Sequence, residues 1–214
     1  MSPGRAPDAS RAKTEPGSLE HLVERMIGAI RLAPETYAEI ARDPAATRLG
    51  LVVLLAVGLA QGIGSFAEFG RAGVVLSLGS AYLGWLCSSL LVWLIGTRLL
   101  GGSGELARLL RTMAFAASPQ FLWIAAALPL GSAEIVLALG IFCMTLIAHV
   151  VAIRQALGLG TGRAVAAFTG GFAIFVVAAL VLGTVVGPLP GLESAPSTAS
   201  GTAPGSAPAP QAPR

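Results

Sequence analysis

The chain has 214 residues, 54% of them hydrophobic and 12% charged, with a formal net charge of +3 and a mean hydropathy of +0.76. A soluble domain carries about 25% charged residues, and half that charge does not cover a globule of this size. The composition excludes an ordinary water-soluble domain and points to an all-α integral membrane protein whose first partner is the lipid bilayer.

In chain order, residues 1–17 are small, polar and proline-bearing and are expected to be disordered. Ser18 is placed as an N-cap, followed by Leu19, Leu22, Val23, Met26, Ile27 and Ile30 at helical spacing. Glu20, His21, Glu24, Arg25 and Arg31 fall on the other face. The charges forbid spanning, so this helix is expected at the cytosolic membrane surface or packed on the protein's own loops. A second short helix starts at Pro34, with Glu35 in its first turn, and ends at Asp43-Pro44. Residues 18–47 thus form a cytosolic amphipathic segment.

Residues 48–186 carry five apolar runs, at about 49–66, 73–96, 113–130, 135–153 and 164–186. Each is near the roughly 20 residues that cross a hydrocarbon core, and strand-like alternation is absent. Five transmembrane helices are expected. Between the second and third, Leu106, Leu109, Leu110 and Met113 share one face, and Arg108 and Arg111 another. With the N-terminus inside, 12 of the 14 basic residues lie on the cytoplasmic side, as the positive-inside rule requires. The C-terminus then lies outside. The tail, 187–214, is rich in Pro, Ala and Ser, holds seven of the 14 prolines, and is expected to be disordered. Thirteen Arg against one Lys, with abundant Ala and Gly, suggest GC-rich coding and a bacterial inner-membrane protein.

The third run, "RTMAFAASPQFLWIAAALPLG", sets Ser118, Pro119 and Gln120 among apolar residues. Proline removes a backbone donor and is tolerated in a bilayer where neighbouring helices or hydroxyls satisfy the freed carbonyl. The freed carbonyl is that of Phe115, and Ser118 or Gln120 are expected to donate to it or to another helix. These three residues form the candidate site, a kink packed against protein. Gly58 with Gly62, Ala56 with Ala60 and Gly64, and Ser80 with Gly84 and Ser88 form small-residue ridges that let helices approach closely. Trp85, Trp93 and Trp123 read as apolar fillers, and Cys87 and Cys143 as small buried hydrophobes. His149 lies near the inner end of the fourth run and has no carboxylate or second His one turn away. No metal site, no cofactor site, no nucleophile motif and no phosphate loop is indicated. The basic N-terminal arm is interleaved with acids and lacks aromatics, which argues against nucleic acid.

Three stretches resemble Yip-one domain proteins of the bacterial type: "MIGAIRLAPETYAEIARDPAATRLGLVVLLAVGLAQGIG" (26–64), "LLGGSGELARLLRTMAFAASPQFLWIAAALPLG" (99–131) and "LIAHVVAIRQALGLGTGRAVAAF" (146–168). The resemblance covers residues 20 to 186 and implies a five-span membrane domain. In eukaryotes it implies binding of prenylated Rab-type GTPases through a DLYGP-type motif. Here the corresponding region reads "LAPETYAEIARDP", so GTPase binding is not carried over. The expectation is a non-enzymatic membrane scaffold or trafficking-type factor acting through a protein partner or homo-oligomer. The alternative is a small transporter or channel with its site near Ser118, Pro119 and Gln120.

Overall fold

The computed structural model describes residues 19–186. The Ser18 cap and the expected disorder of 1–17 and 187–214 lie outside the described residues. Within them the chain is helical and no strand occurs.

Helix α1 (Leu19–Ile30) and helix α2 (Pro34–Arg42) form a tight hairpin. Leu32 turns it with φ +58, a left-handed conformation that costs a non-glycine residue roughly 1–2 kcal/mol. Packing of Leu32 against the apolar core offsets that cost. Tyr37 and Ile40 are fully buried, and the Tyr37 hydroxyl donates to Ala29 O at 3.1 Å. One sequence expectation is corrected here. Arg25 is not on the solvated face but only 5% exposed, ion-paired with Glu39 at 2.7 Å and Asp43 at 2.8 Å. Val23 and Ile27, on the expected apolar face, are 51% and 43% exposed. The reason is that the body of the protein takes the side of α1 bearing Leu22, Arg25 and Ala29, and the acids that neutralise Arg25 arrive from α2 and its C-cap.

Helix α3 (Ala46–Gly64) packs along helix α4 (Phe66–Arg98), which breaks at Gly70 (φ +55) before its long straight run. The Gly58 and Gly62 ridge is the contact. A Cβ on Gly58 would lie 2.9 Å from Leu78 Cδ2, and one on Gly62 2.8 Å from Val74 Cα, so the two backbones come closer than any side chain permits. Ala60 is buried in the same helix, but Ser80, Gly84 and Ser88 are not a tight seam. A Cβ on Gly84 would meet only Phe175 Cζ, at 3.8 Å.

The segment 99–105 is a glycine-rich knot. Gly102 N donates to Gly96 O at 2.8 Å, and Ser103 N donates to Leu157 O at 3.1 Å. Any Cβ on Gly104 would collide with the Ala156 carbonyl. Two of the three tryptophans are anchors rather than fillers: Trp93 Nε1 donates to Gly104 O at 3.1 Å and Trp85 Nε1 to Leu110 O at 3.0 Å.

The third apolar run is not one α-helix. Helix α5 (Leu106–Ala116) ends at Ala117, and a 3-10 helix takes over at Ser118–Ala127. Pro119 lacks the donor that would continue α5, and its ring opposes the preceding turn. A ten-residue 3-10 helix is long for its kind. Helix α6 (Ala133–Leu157) closes on Gly158 at φ +66, a left-handed C-cap. Helix α7 runs Thr161–Val186.

Among the described residues, four helices are long and apolar enough to cross a membrane: Ala46–Gly64, Phe69–Arg98, Ala133–Leu157 and Thr161–Val181. Their outward faces are apolar, with Val75, Leu83, Ile135 and Leu139 each over 60% exposed. Surface of that kind belongs in lipid. The same faces carry Cys143, which is exposed, while Cys87 is half-buried; neither is the buried hydrophobe expected, because the lipid-facing side of a span needs no protein cover. The buried core gathers around α5, against α1, α2, α3 and α6 on one side and the facing ends of α4, α6 and α7 on the other.

The chain separates into two compact units after Val177. In the second, α7 continues to Val186 and Thr184 Oγ1 donates to Val181 O at 2.8 Å.

Candidate functional site

The three residues singled out from sequence part company in the structure. Ser118 and Pro119 are buried in the first turn of the 3-10 helix. Ser118 Oγ has no hydrogen-bond partner among the described residues, so it does not satisfy the Phe115 carbonyl. Gln120 is half-buried, and its Oε1 accepts from Gln61 Nε2 of α3 at 2.7 Å. The 3-10 turn after Pro119 aims this amide at α3. Nothing within a single sequence couples Gln61 to Gln120, 59 positions apart.

The amide pair borders a cavity of about 550 Å³ lined by α3, α4, the 3-10 helix, α6 and α7, with Met113 of α5 also in its wall. Ser118 and Pro119 do not line it; Gln120 does. The walls are apolar and aromatic, including Trp85, Trp123, Phe142, Phe168, Phe172 and Phe175. The polar exceptions are Gln61, Gln120, Ser80, Ser88, Thr145, Thr169 and His149, and none of the lining residues is charged. The loose Ser80, Gly84 and Ser88 ridge of α4 therefore borders open space rather than a helix.

His149 sits where α6 meets the cavity. Its Nδ1 lies 2.7 Å from Thr145 O, one turn back along the helix, and its ring packs on Phe168 with centroids 5.4 Å apart. A main-chain carbonyl only accepts, so Nδ1 carries the proton and Nε2 is left as an acceptor. The neighbouring Thr145 hydroxyl has no partner among the described residues. Three or more His, Cys, Asp or Glu side chains do not gather anywhere among them. What this arrangement does chemically is shape an uncharged, largely apolar, half-open cleft with polar points at the Gln61–Gln120 pair and at His149.

The family model described as the Yip1 domain matches residues 27–184. The chain belongs to the Yip1 domain family. No curated protein and no solved structure matches it. The matched range contains α2 through the 3-10 helix, α6 and every residue lining the cavity, so the chamber lies inside the domain and not in an appendage. Together with the apolar helices, the match makes this Yip1-domain protein a multi-pass integral membrane protein.

Proposed function

We propose that this Yip1-domain protein is a non-enzymatic membrane scaffold or organising factor of the inner membrane that works through protein partners or self-association. The observation that carries this reading is the α1–α2 hairpin. Arg25 and Tyr37 tie its two helices together, Arg111 of α5 pins it to the bundle by donating from Nη2 to Ala41 O at 2.9 Å, and it leaves Val23, Glu24 and Ile27 outward. A rigid mount with an apolar and acidic outer strip suits contact with another surface.

The N-terminus is assigned to the cytoplasm and the C-terminus to the outside, on the distribution of Arg and Lys. That requires an odd number of crossings. The fifth is the composite of the last turn of α5 and the 3-10 helix. Four α residues at about 1.5 Å and ten 3-10 residues at about 2.0 Å give roughly 26 Å, close to a 30 Å hydrocarbon core. A reporter fused after Ala212 that is active only outside the cytoplasm supports five crossings. Cytoplasmic activity sinks them.

The functional test uses the whole chain, since removing residues 18–47 would tear Tyr37 and Ile40 out of the core. A photo-crosslinking residue at position 23 or 27 is expected to capture one reproducible protein, or a second copy of the chain. Capture should disappear in Ile27→Glu while the purified protein still elutes as before. Crosslinks to lipid alone at both positions would overturn the scaffold reading.

A second reading, a small transporter, draws on Gln120 bordering the cavity. Flux of a candidate solute that stops in Gln120→Leu would favour it over the scaffold.

A further inference from the structure

We infer that the cavity is a binding site for one neutral, hydroxyl-bearing lipid of the monoacylglycerol or long-chain alcohol class. This inference concerns a half-open cleft in the bundle, and it holds whether or not α1 meets a partner and whether or not anything is moved across the membrane.

The volume, about 550 Å³, falls within the roughly 300–1,000 Å³ typical of ligand pockets. Water does not fit it well. At about 30 Å³ each, well over ten waters would be needed, and each needs two to four polar partners that these walls do not supply. An ion or ionised headgroup does not fit either, because no lining side chain carries charge to offset desolvation. An apolar chain does fit against Phe142, Phe168, Phe172 and Phe175. The polar demand is specific. His149 donates its one N–H to Thr145 O at 2.7 Å and keeps Nε2 as a bare acceptor. The Thr145 hydroxyl beside it also lacks a protein partner among the described residues, but it is closed off from the cavity, so the polar demand on a ligand falls to Nε2. A ligand O–H donated to Nε2 satisfies the ring, whereas a carboxylate or phosphate would set an acceptor against an acceptor.

The test uses the full chain in phosphatidylcholine nanodiscs with a monoacylglycerol bearing a photoreactive diazirine in its chain. After illumination, label is expected in peptides holding Phe142–His149 and Phe168–Phe175, and excess unlabelled monoacylglycerol should remove it. A fatty acid probe of the same length should label these peptides at least tenfold less. Gly84→Leu places a side chain where a Cβ has room, 3.8 Å from Phe175 Cζ, and should cut labelling at least fivefold. Ala138→Phe fills the cavity from the opposite wall and should do the same if Gly84→Leu does not fold. His149→Phe keeps the ring and removes the acceptor, and should weaken the competition curve about tenfold. Label spread evenly over Val75, Leu83 and Ile135, or label that ignores both filling variants, would overturn the site. Equal labelling by the fatty acid would overturn the ligand class.

Discussion

Gln61 of α3 and Gln120 of the 3-10 helix share a 2.7 Å hydrogen bond at the rim of an uncharged cavity. Gln61 Nε2 donates and Gln120 Oε1 accepts, so one donor and one acceptor are paired in surroundings that offer few alternatives. Single replacements, Gln61→Leu or Gln120→Leu, are expected to lower stability by about 1–3 kcal/mol, because the surviving amide loses its partner. The double replacement should cost less than the sum, with a coupling of roughly 0.6–1.7 kcal/mol. Thermal unfolding of the four proteins in one detergent measures it. Strict additivity would mean the bond contributes nothing.

Backbone approach governs the glycine knot. Gly104→Ala forces a methyl into the Ala156 carbonyl, and Gly62→Ala forces one to 2.8 Å from Val74 Cα. Each should destabilise by about 1–3 kcal/mol, the usual cost of overpacking. Gly79→Ala meets nothing within 4 Å and should be neutral or stabilising by up to about 1 kcal/mol. Midpoints of thermal unfolding that fail to separate these variants would contradict the packing described.

Arg25 holds α1 to α2 through Glu39 and Asp43. Arg25→Met removes the charge-assisted bonds but keeps most of the buried stem. The two acids retain water, being 57% and 28% exposed, so the loss should be roughly 1.5–3 kcal/mol and no more. It should appear as faster proteolysis between α1 and α2, with the membrane helices unchanged.

The same cluster predicts a pH dependence. Burial pushes the Asp43 carboxyl up, but the Arg25 guanidinium and the Ala45 N–H, at 2.9 Å, outweigh it and hold the group below its ordinary value. A carboxyl depressed in the folded state contributes stability that is present above its unfolded pKa, about 3.9, and is lost as pH falls through the folded value. Hairpin protection from amide exchange should therefore be flat from pH 7 to 5 and decline below about 4. In Asp43→Asn that decline should flatten.

The sequence by itself determined the elements whose signals are local. The Pro34 start, the Asp43 stop and four long apolar helices come from cap chemistry, fixed proline φ and hydropathy, each read within a few neighbouring residues. The Gly58 and Gly62 ridge was also legible, since small residues four apart share a helix face. Only the tertiary structure decided which side of α1 is inside. Arg25 is buried because Glu39 and Asp43 come round on the next element, and periodicity ranks a lone arginine as surface. Only the tertiary structure divided the Pro119 run into α5 and a 3-10 helix, since proline marks a break without fixing the conformation of the residues after it. Only the tertiary structure brought Gln61 to Gln120, turned Trp85 and Trp93 into anchors, and opened a chamber beside Ser80, Gly84 and Ser88. Those are pairings between distant segments, and their energy depends on where helices cross, which no local pattern encodes.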